Sequence, residues 1–450
     1  MAGETTEQSP PTTPPPTTPA PTTPAPTNPM PSGGRSSAER GPASASLIPL
    51  HRNRDFRRLW IGQAFSDLGA NMAALAYPLL VLALTGSPIQ AGLVGSATLL
   101  AQAVLGLPAG ALVDRWNRRK LMIGCETVRA LSAGFLVVAI LDGWASLPLI
   151  IAVGVVSSAA GVLFGPAQTA ALRHIVPAAQ LPRASARIEA RTYAAELAGP
   201  PLGGALFALT RFAPFLADAL SYIISLVTVL TIRRPLQDER PRQHERLLPA
   251  TLAGLRFVVR EPFLRATLCA APLVNAAFAG VMFVLVVVLQ ERGTPPAGIG
   301  AVQSAILVGG LAGALIAPWL QPRVRMPVLI IVFLWLIVGL VAAAAAMPGT
   351  YAVALPLAFG LLLAPSLNAA LFGYQIAITP DAMQGRVDSV LAVLSTALTP
   401  LAPLAGGVLV TQLGGRWAFV VFAGVLAVAA VIASASKGIR HMRPLDQALG

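Results

Sequence analysis

Charge is scarce in this 450-residue chain: 11% of residues are Asp, Glu, Lys or Arg, 55% are hydrophobic, and the mean hydropathy is +0.69. Soluble domains carry about 25% charged residues, so a water-soluble globular protein is excluded. Lysine is nearly absent, with Lys120 and Lys437 the only two, and arginine supplies the rest of a formal charge of +13. The arginines sit between long apolar runs and not on one face of a domain, so the basic balance reads as membrane topology and not as nucleic-acid binding. Cysteine is limited to Cys125 and Cys269, each inside an apolar run. That rules out a disulfide framework or a thiolate metal site, and both read as buried thiols. The four histidines, His51, His174, His244 and His441, fall in loops or tails, which leaves no intramembrane haem or metal site to build and no metal to expect. Neither lysine follows the glycine spacing of a phosphate-binding loop, so ATP-driven work by this chain alone is unsupported.

What is present begins with a tail. Residues 1–46 contain a Pro/Thr low-complexity stretch from Pro10 to Pro31, which cannot bury enough apolar surface to offset chain entropy and is expected to be a disordered cytoplasmic tail. It lacks a basic segment followed by an apolar one, so it does not read as a signal peptide, and Ala2 in place of Gly excludes myristoylation.

A hydrocarbon core ~30 Å thick needs ~20 apolar residues per helix. On that spacing the remainder divides into twelve spans, near 57–84, 90–112, 121–141, 146–170, 185–209, 213–232, 264–290, 297–320, 326–347, 351–378, 387–410 and 416–435. The fifth and eleventh are the least apolar, because Arg187, Glu189, Arg191 and Asp388 lie in their first turns. Alternate connections carry the arginines: Arg52/Arg54/Arg57/Arg58, Arg115/Arg118/Arg119, Arg173/Arg183, Arg233 through Arg260, Arg323/Arg325, Arg386 and Arg440/Arg443. The others hold Arg211, Arg292 and Arg416. This bias predicts that both termini and the central linker are cytoplasmic. In the linker, Leu247–Val259 has apolar residues at helical spacing and is expected to lie in the membrane interface. The expected organisation is a tail over 1–46, a six-helix bundle over 47–232, a linker over 233–262, a second bundle over 263–436 and a tail over 437–450.

The two halves repeat. Ala109-Gly110-Ala111-Leu112 matches Ala312-Gly313-Ala314-Leu315, Trp116 matches Trp319, Pro177 matches Pro380, Arg183 matches Arg386, Pro200 matches Pro403, and Gly203-Gly204 matches Gly406-Gly407, all 203 residues apart. A six-helix unit duplicated in parallel about a cytoplasmic linker is the architecture of two-halved secondary transporters, with substrate near the midplane between the halves.

The loop after the second span reads Gly110-Ala-Leu-Val-Asp114-Arg115-Trp-Asn-Arg118-Arg119-Lys120. It resembles the G-x-L-x-D-R-x-G-R-R/K signature of the major facilitator superfamily, with Asn117 where the signature has Gly. Asn tolerates the left-handed backbone, so the turn is expected to be kept. The resemblance covers about residues 50–440. It implies an all-α polytopic membrane protein of twelve helices in two parallel-duplicated bundles, in which Gly110, Asp114, Arg115, Arg118 and Arg119 form a conformational latch. Gly199-Pro200-Pro201-Leu202-Gly203-Gly204 is similar to the core of that superfamily's antiporter motif, and Gly199, Pro200, Gly203 and Gly204 imply a kinked, closely packed hinge. Ala76–Leu82, Thr85–Pro88 and Thr379–Val387 resemble the bacterial branch that contains enterobactin and macrolide exporters.

Ionisable groups inside the spans each need an account, since a midplane charge costs ~2.5–3.5 kcal/mol on insertion scales. Asp67 lies about ten residues, ~15 Å, into the first span. It reads either as a proton-coupling or substrate residue, or as a structural acid hydrogen-bonded near Ser66 and Asn71. Glu189 and Glu196, seven apart on the fifth span, share a face and are further coupling candidates; Arg191 reads as a snorkelling or paired residue. Glu126 and Arg129, three apart, are expected to form a structural ion pair. Asp218 reads as a gate or interface residue. The second half is almost free of internal charge, and Asn275, Asn368 and Gln375 are its polar cavity candidates, alongside Gln303 and Tyr374.

These readings converge on a proton-coupled exporter of a small amphipathic compound such as a drug, antibiotic or siderophore. It would work by alternating access, as a monomer in the cell membrane, with the lipid bilayer and a small-molecule substrate as partners. No cofactor is expected beyond the proton gradient. An uptake permease, or a transport-inactive sensor of the same fold, are the alternatives.

Overall fold

The computed structural model describes residues 49–232, Arg234, Leu236 and 247–442. The Pro/Thr-rich tail, the remainder of 233–246 and the last eight residues lie outside the described residues, as do the side chains of Asp114 and of 247–251. Among the described residues there is no strand. The helices are α1 (Arg54–Thr85), α2 (Pro88–Arg115), α3 (Arg118–Leu141), α4 (Leu147–Ile175), α5 (Leu181–Leu209), α6 (Ala213–Thr231), α7 (Leu247–Arg260), α8 (Pro262–Glu291), α9 (Pro296–Leu320), α10 (Met326–Ala346), α11 (Ala354–Ile378), α12 (Gln384–Ser395), α13 (Ala402–Leu413), α14 (Gly415–Ala435) and α15 (Lys437–Arg440).

Helix ends follow local chemistry. Asn53 caps α1 by accepting from the Phe56 N–H, and its amide donates to the Ile175 carbonyl at 2.9 Å, so one side chain closes the start of α1 and the end of α4. Asn53→Ala is expected to lower stability by about 1–2 kcal/mol, the usual cost of a lost cap, read from thermal unfolding of the purified protein. Gly86 ends α1 in the left-handed region at φ 65°, and Ser87 and Pro88 start α2 at once. Asn117 does not take the left-handed backbone expected of it. It is extended, with φ −67°, and caps α3 by accepting from the Lys120 N–H at 3.1 Å. The turn is kept by capping, which an Asn side chain provides and a Gly cannot.

Eleven helices among those described are long and apolar enough to cross a membrane, with Gln384–Leu413 counted as one. The exception is α5, which carries Arg183, Arg187, Glu189, Arg191 and Glu196. Its 29 residues nevertheless form one continuous helix, about 43 Å long at 1.5 Å per residue, packed between α1 and α9. Arg191 is buried in protein and Glu196 partly so, while Arg183, Arg187 and Glu189 stay exposed. Elsewhere the outer surface is apolar, with Leu209 76% and Leu315 77% exposed, as a lipid-facing surface requires. For that reason an apolar run does not imply burial in protein: Cys125 is buried as expected, but Cys269 is exposed on α8.

The eleventh apolar segment is interrupted. α12 ends at Ser395, a short 3-10 turn covers Thr399–Leu401, and α13 begins at Ala402. Pro400 and Pro403 remove two helical donors there, and the amide of Asn275 on α8 donates to the stranded Ser395 carbonyl at 3.0 Å. The linker helix α7 packs on α8 and α12. Val258 is buried and Gly254 lies against the Arg386 backbone, while Leu252, Arg256, Val259 and Arg260 stay exposed on the other side.

Candidate functional site

The two six-helix halves meet through α2 against α13 and α5 against α9. Glycines set both approaches. A Cβ on Gly204 would collide with the Pro296 carbonyl, and one on Gly300 with the Pro200 carbonyl. In the other pair, a Cβ on Gly407 would collide with the Pro88 carbonyl, and one on Gly92 with the Pro403 carbonyl. Gly199 and Gly203 face a different neighbour, the backbone of Asn71 and Met72 on α1, and Gly406 likewise faces Phe283 and Val284 on α8. The glycine pair in each half thus seats one helix on its own bundle with the first glycine and on the opposite bundle with the second.

Two serines complete the seam. Pro201 has no N–H for the Leu197 carbonyl four residues back, and the Ser304 hydroxyl of α9 donates to that carbonyl at 2.6 Å. In the other half the Leu404 N–H, an orphan donor in the first turn of α13, donates to the Ser96 hydroxyl at 3.0 Å. So α5 runs through Pro200 and Pro201 as one continuous helix, whereas its repeat is interrupted at 396–401. Pro88/Pro296, Gly92/Gly300 and Ser96/Ser304 are each 208 residues apart. This second repeat offset marks the seam residues that the 203-residue offset misses.

All these contacts lie at the end of the bundle away from the chain termini. At the other end, the α2 and α9 segments that carry the matched Ala-Gly-Ala-Leu leave Trp116, Leu315 and Trp319 exposed, and a Cβ on Gly110 would meet nothing within 4 Å. The loop residues there tie to their own half. The Arg118 guanidinium reaches His174 at 3.1 Å and the Leu236 carbonyl at 3.3 Å, and Arg119 reaches the Leu230 carbonyl at 2.8 Å. Arg115 is exposed.

Inside the first half lies a polar core. Arg191 is 6% exposed and reaches the Asp67 carboxylate at 3.0 Å, with the Thr192 hydroxyl donating to the same oxygen at 3.4 Å. The expected Asp67 neighbour Asn71 donates instead to the Asp67 backbone carbonyl at 2.8 Å. Glu126, fully buried, accepts from Gln63 at 3.0 Å and from Ser225 at 2.8 Å, and Arg129 lies 3.9 Å away. Arg129 also donates to the Tyr222 hydroxyl at 2.9 Å, stacks over that ring at 4.0 Å, and touches Ser66 at 3.4 Å.

Beside this core is a cavity of about 780 Å³ with a largely apolar lining. Its wall includes Glu196, Arg129, Asp218 and Tyr222 from the first half and Phe283 and Gln303 from the second. Of the carboxylates singled out in the sequence, Glu196 lines it, Asp67 sits behind it in the pair with Arg191, and Glu189 is exposed two turns away. Asn275, Asn368 and Gln375 do not line it. Asn275 holds the Ser395 carbonyl, Gln375 donates to Asp388 at 2.6 Å, and Asn368 is exposed on α11. Tyr374 packs edge-on against Phe263. Among the described residues no cluster of His, Cys, Asp or Glu could hold a metal ion.

Two helical bundles about a seam, with a mixed polar and apolar cavity beside it, define a polytopic membrane transporter and not an enzyme. The sequence matches the Major Facilitator Superfamily over residues 59–398, and the chain belongs to that family. It is 28% identical over 361 residues to the multidrug efflux pump Tap of Mycolicibacterium fortuitum, covering 77% of this chain and 87% of Tap. It is 26% identical over 188 residues to macrolide efflux protein A of Streptococcus pyogenes, covering 41% and 46%. Its fold is similar to a bacterial homologue of the human lysosomal transporter Spinster, with a TM-score of 0.67 at 15% identity over 87% of this chain and 98% of that one.

Proposed function

We propose that this chain is a proton-coupled exporter of a small amphipathic compound, working as a monomer by alternating access, with the proton gradient as its energy source and both termini cytoplasmic. The observation that carries the reading is Glu196: a carboxylate with no arginine beside it among the described residues, in the wall of a cavity large and apolar enough for a drug-sized molecule. A proton on Glu196 removes the negative charge to which a cationic amphipathic cargo would be drawn, and releasing it restores that charge, so proton and cargo compete for the carboxylate and alternate. The glycine seam away from the termini serves as the closed gate of one state. The loop with Gly110, Asp114, Arg115, Arg118 and Arg119 serves as the latch that closes the opposite end. Asp67 is assigned to this switch through Arg191: when the pair opens, α1 and α5 are free to shift against each other. The relatives named as efflux pumps support the outward direction.

The test is accumulation of fluorescent amphipathic compounds in an efflux-deficient bacterium, with and without a protonophore. Wild type is expected to lower accumulation, and Glu196→Gln and the protonophore each to abolish that effect. Raised accumulation by wild type would overturn export in favour of uptake. Export unaffected by Glu196→Gln would remove this residue from the coupling.

A further inference from the structure

Four carboxylates and two guanidiniums occupy the polar core and cavity wall of the first half. Arg191 is matched to Asp67 and Arg129 to Glu126, which leaves Glu196 and Asp218, and both line the cavity. Asp218, on α6, is 2% exposed, and its Oδ1 is buried without a hydrogen-bond partner. That oxygen is pressed against α1, where a Cβ on Gly69 would come within 2.9 Å of it. A carboxylate oxygen sealed from water and given no donor is costly in its ionised form. A bulky cation cannot reach it without parting α1 from α6, but a proton needs no room.

We propose that Asp218 is a second proton-carrying carboxyl of the cavity, alongside Glu196, so that each turnover handles two protons. The two-proton cycle rests on the proton-coupled reading above; the protonation of Asp218 does not. The step is a simple transfer: hydronium in the cavity gives its proton to the Asp218 oxygen other than the enclosed Oδ1, an O–H bond forms and water is left. The reverse returns the proton to water once the cavity opens to the other side. The groups facing Asp218 suit the exchange. From α1 come Gly69 and the Tyr77 phenol, and from α3 come Arg129 and, behind it, Glu126. From α4, Ser157 reaches the Tyr222 hydroxyl. Tyr222 itself, one turn along α6, lies beside Asp218 and accepts a hydrogen bond from Arg129, and α5 presents Glu196 to the same cavity. Tyr222 thus links the carboxyl to a guanidinium that is already shared with Glu126.

The experiment is an acid-minus-alkaline infrared difference spectrum of the full chain in lipid nanodiscs, read in the carboxylic C=O region. Wild type is expected to show a component that Asp218→Asn removes and Glu196→Gln leaves in place. Tyr222→Phe, which keeps the acid and removes the hydroxyl beside it, is expected to shift that component's frequency. If Asp218→Asn does not fold, Asp218→Glu replaces it, and the component must then move. An Asp218→Asn or Asp218→Glu spectrum that superimposes on wild type overturns the proposal. A spectrum and an export rate both unaltered by Glu196→Gln would overturn the coupling role of Glu196 and leave the Asp218 result standing by itself.

Discussion

Gly300→Val stops transport and opens the end of the bundle that the seam keeps shut. The α-carbon of Gly300 is seated on Pro200 and Pro201, with the Pro200 carbonyl where a side chain would go. Because the obstruction is helix backbone, no rotamer change can make room. Overpacking of this kind costs about 1–3 kcal/mol, a shift of roughly 5–150-fold between the closed and open arrangements of that end. The measurement is the reaction of a membrane-impermeant maleimide, added on the side of the α1–α2 connection, with a cysteine placed at cavity residue Ala73 in a chain whose Cys125 and Cys269 are Ser. Labelling should rise with Gly300→Val and with its repeat, Gly92→Val. It should stay at the wild-type rate with Gly424→Val, where an added Cβ meets nothing within 4 Å. Unchanged labelling in Gly300→Val would mean that the seam has slack and that the glycines do not set the closed state.

Arg191→Met is the costliest single change expected in the polar core. The arginine side chain is 5% exposed and holds the Asp67 carboxylate at 3.0 Å. Removing it leaves a half-buried carboxylate with only the long Thr192 contact, and breaking a buried pair in this way costs about 3–5 kcal/mol. Asp67→Asn combined with Arg191→Met removes both charges and should recover most of that loss. Thermal unfolding of the four proteins in detergent closes the cycle, and strictly additive losses would show that the pair is not coupled.

The fold was legible because the bilayer imposes one length on every span, and hydropathy reads that length directly. The twelve expected spans each correspond to a helix, or in the eleventh to two, with ends within a few residues. Even the charged fifth span was visible, since apolar periodicity survives between its arginines. The pairings were not legible. Asp67 meets Arg191 across more than a hundred residues, and no local spacing says which guanidinium a carboxylate will find. The Glu126–Arg129 pair was, because three residues apart on a helix is itself a contact. The seam serines and glycines of α2 and α9 escaped for a different reason. The offset falls from 208 residues at the first turns of α2 and α9 to 203 at their Ala-Gly-Ala-Leu segments, so the earlier part does not share the offset of the rest. The proline motif was readable as close packing, but where the helix gives way was not. Leu197 finds a hydroxyl from the opposite half that keeps α5 whole, whereas Asn275 satisfies the Ser395 carbonyl at an end already broken.

That difference gives the two halves unlike mechanics. α5 is a single beam, so a push at one end arrives undiminished at the other. α12 and α13 are the same beam with a joint in it, and the segment beyond the joint is the one to which the linker helix α7 is fastened. The linker therefore has a handle on a lever that can swing while α13 stays seated on α2. Length or stiffness changes in the connection between the halves should be felt first by one bundle and only afterwards by the other.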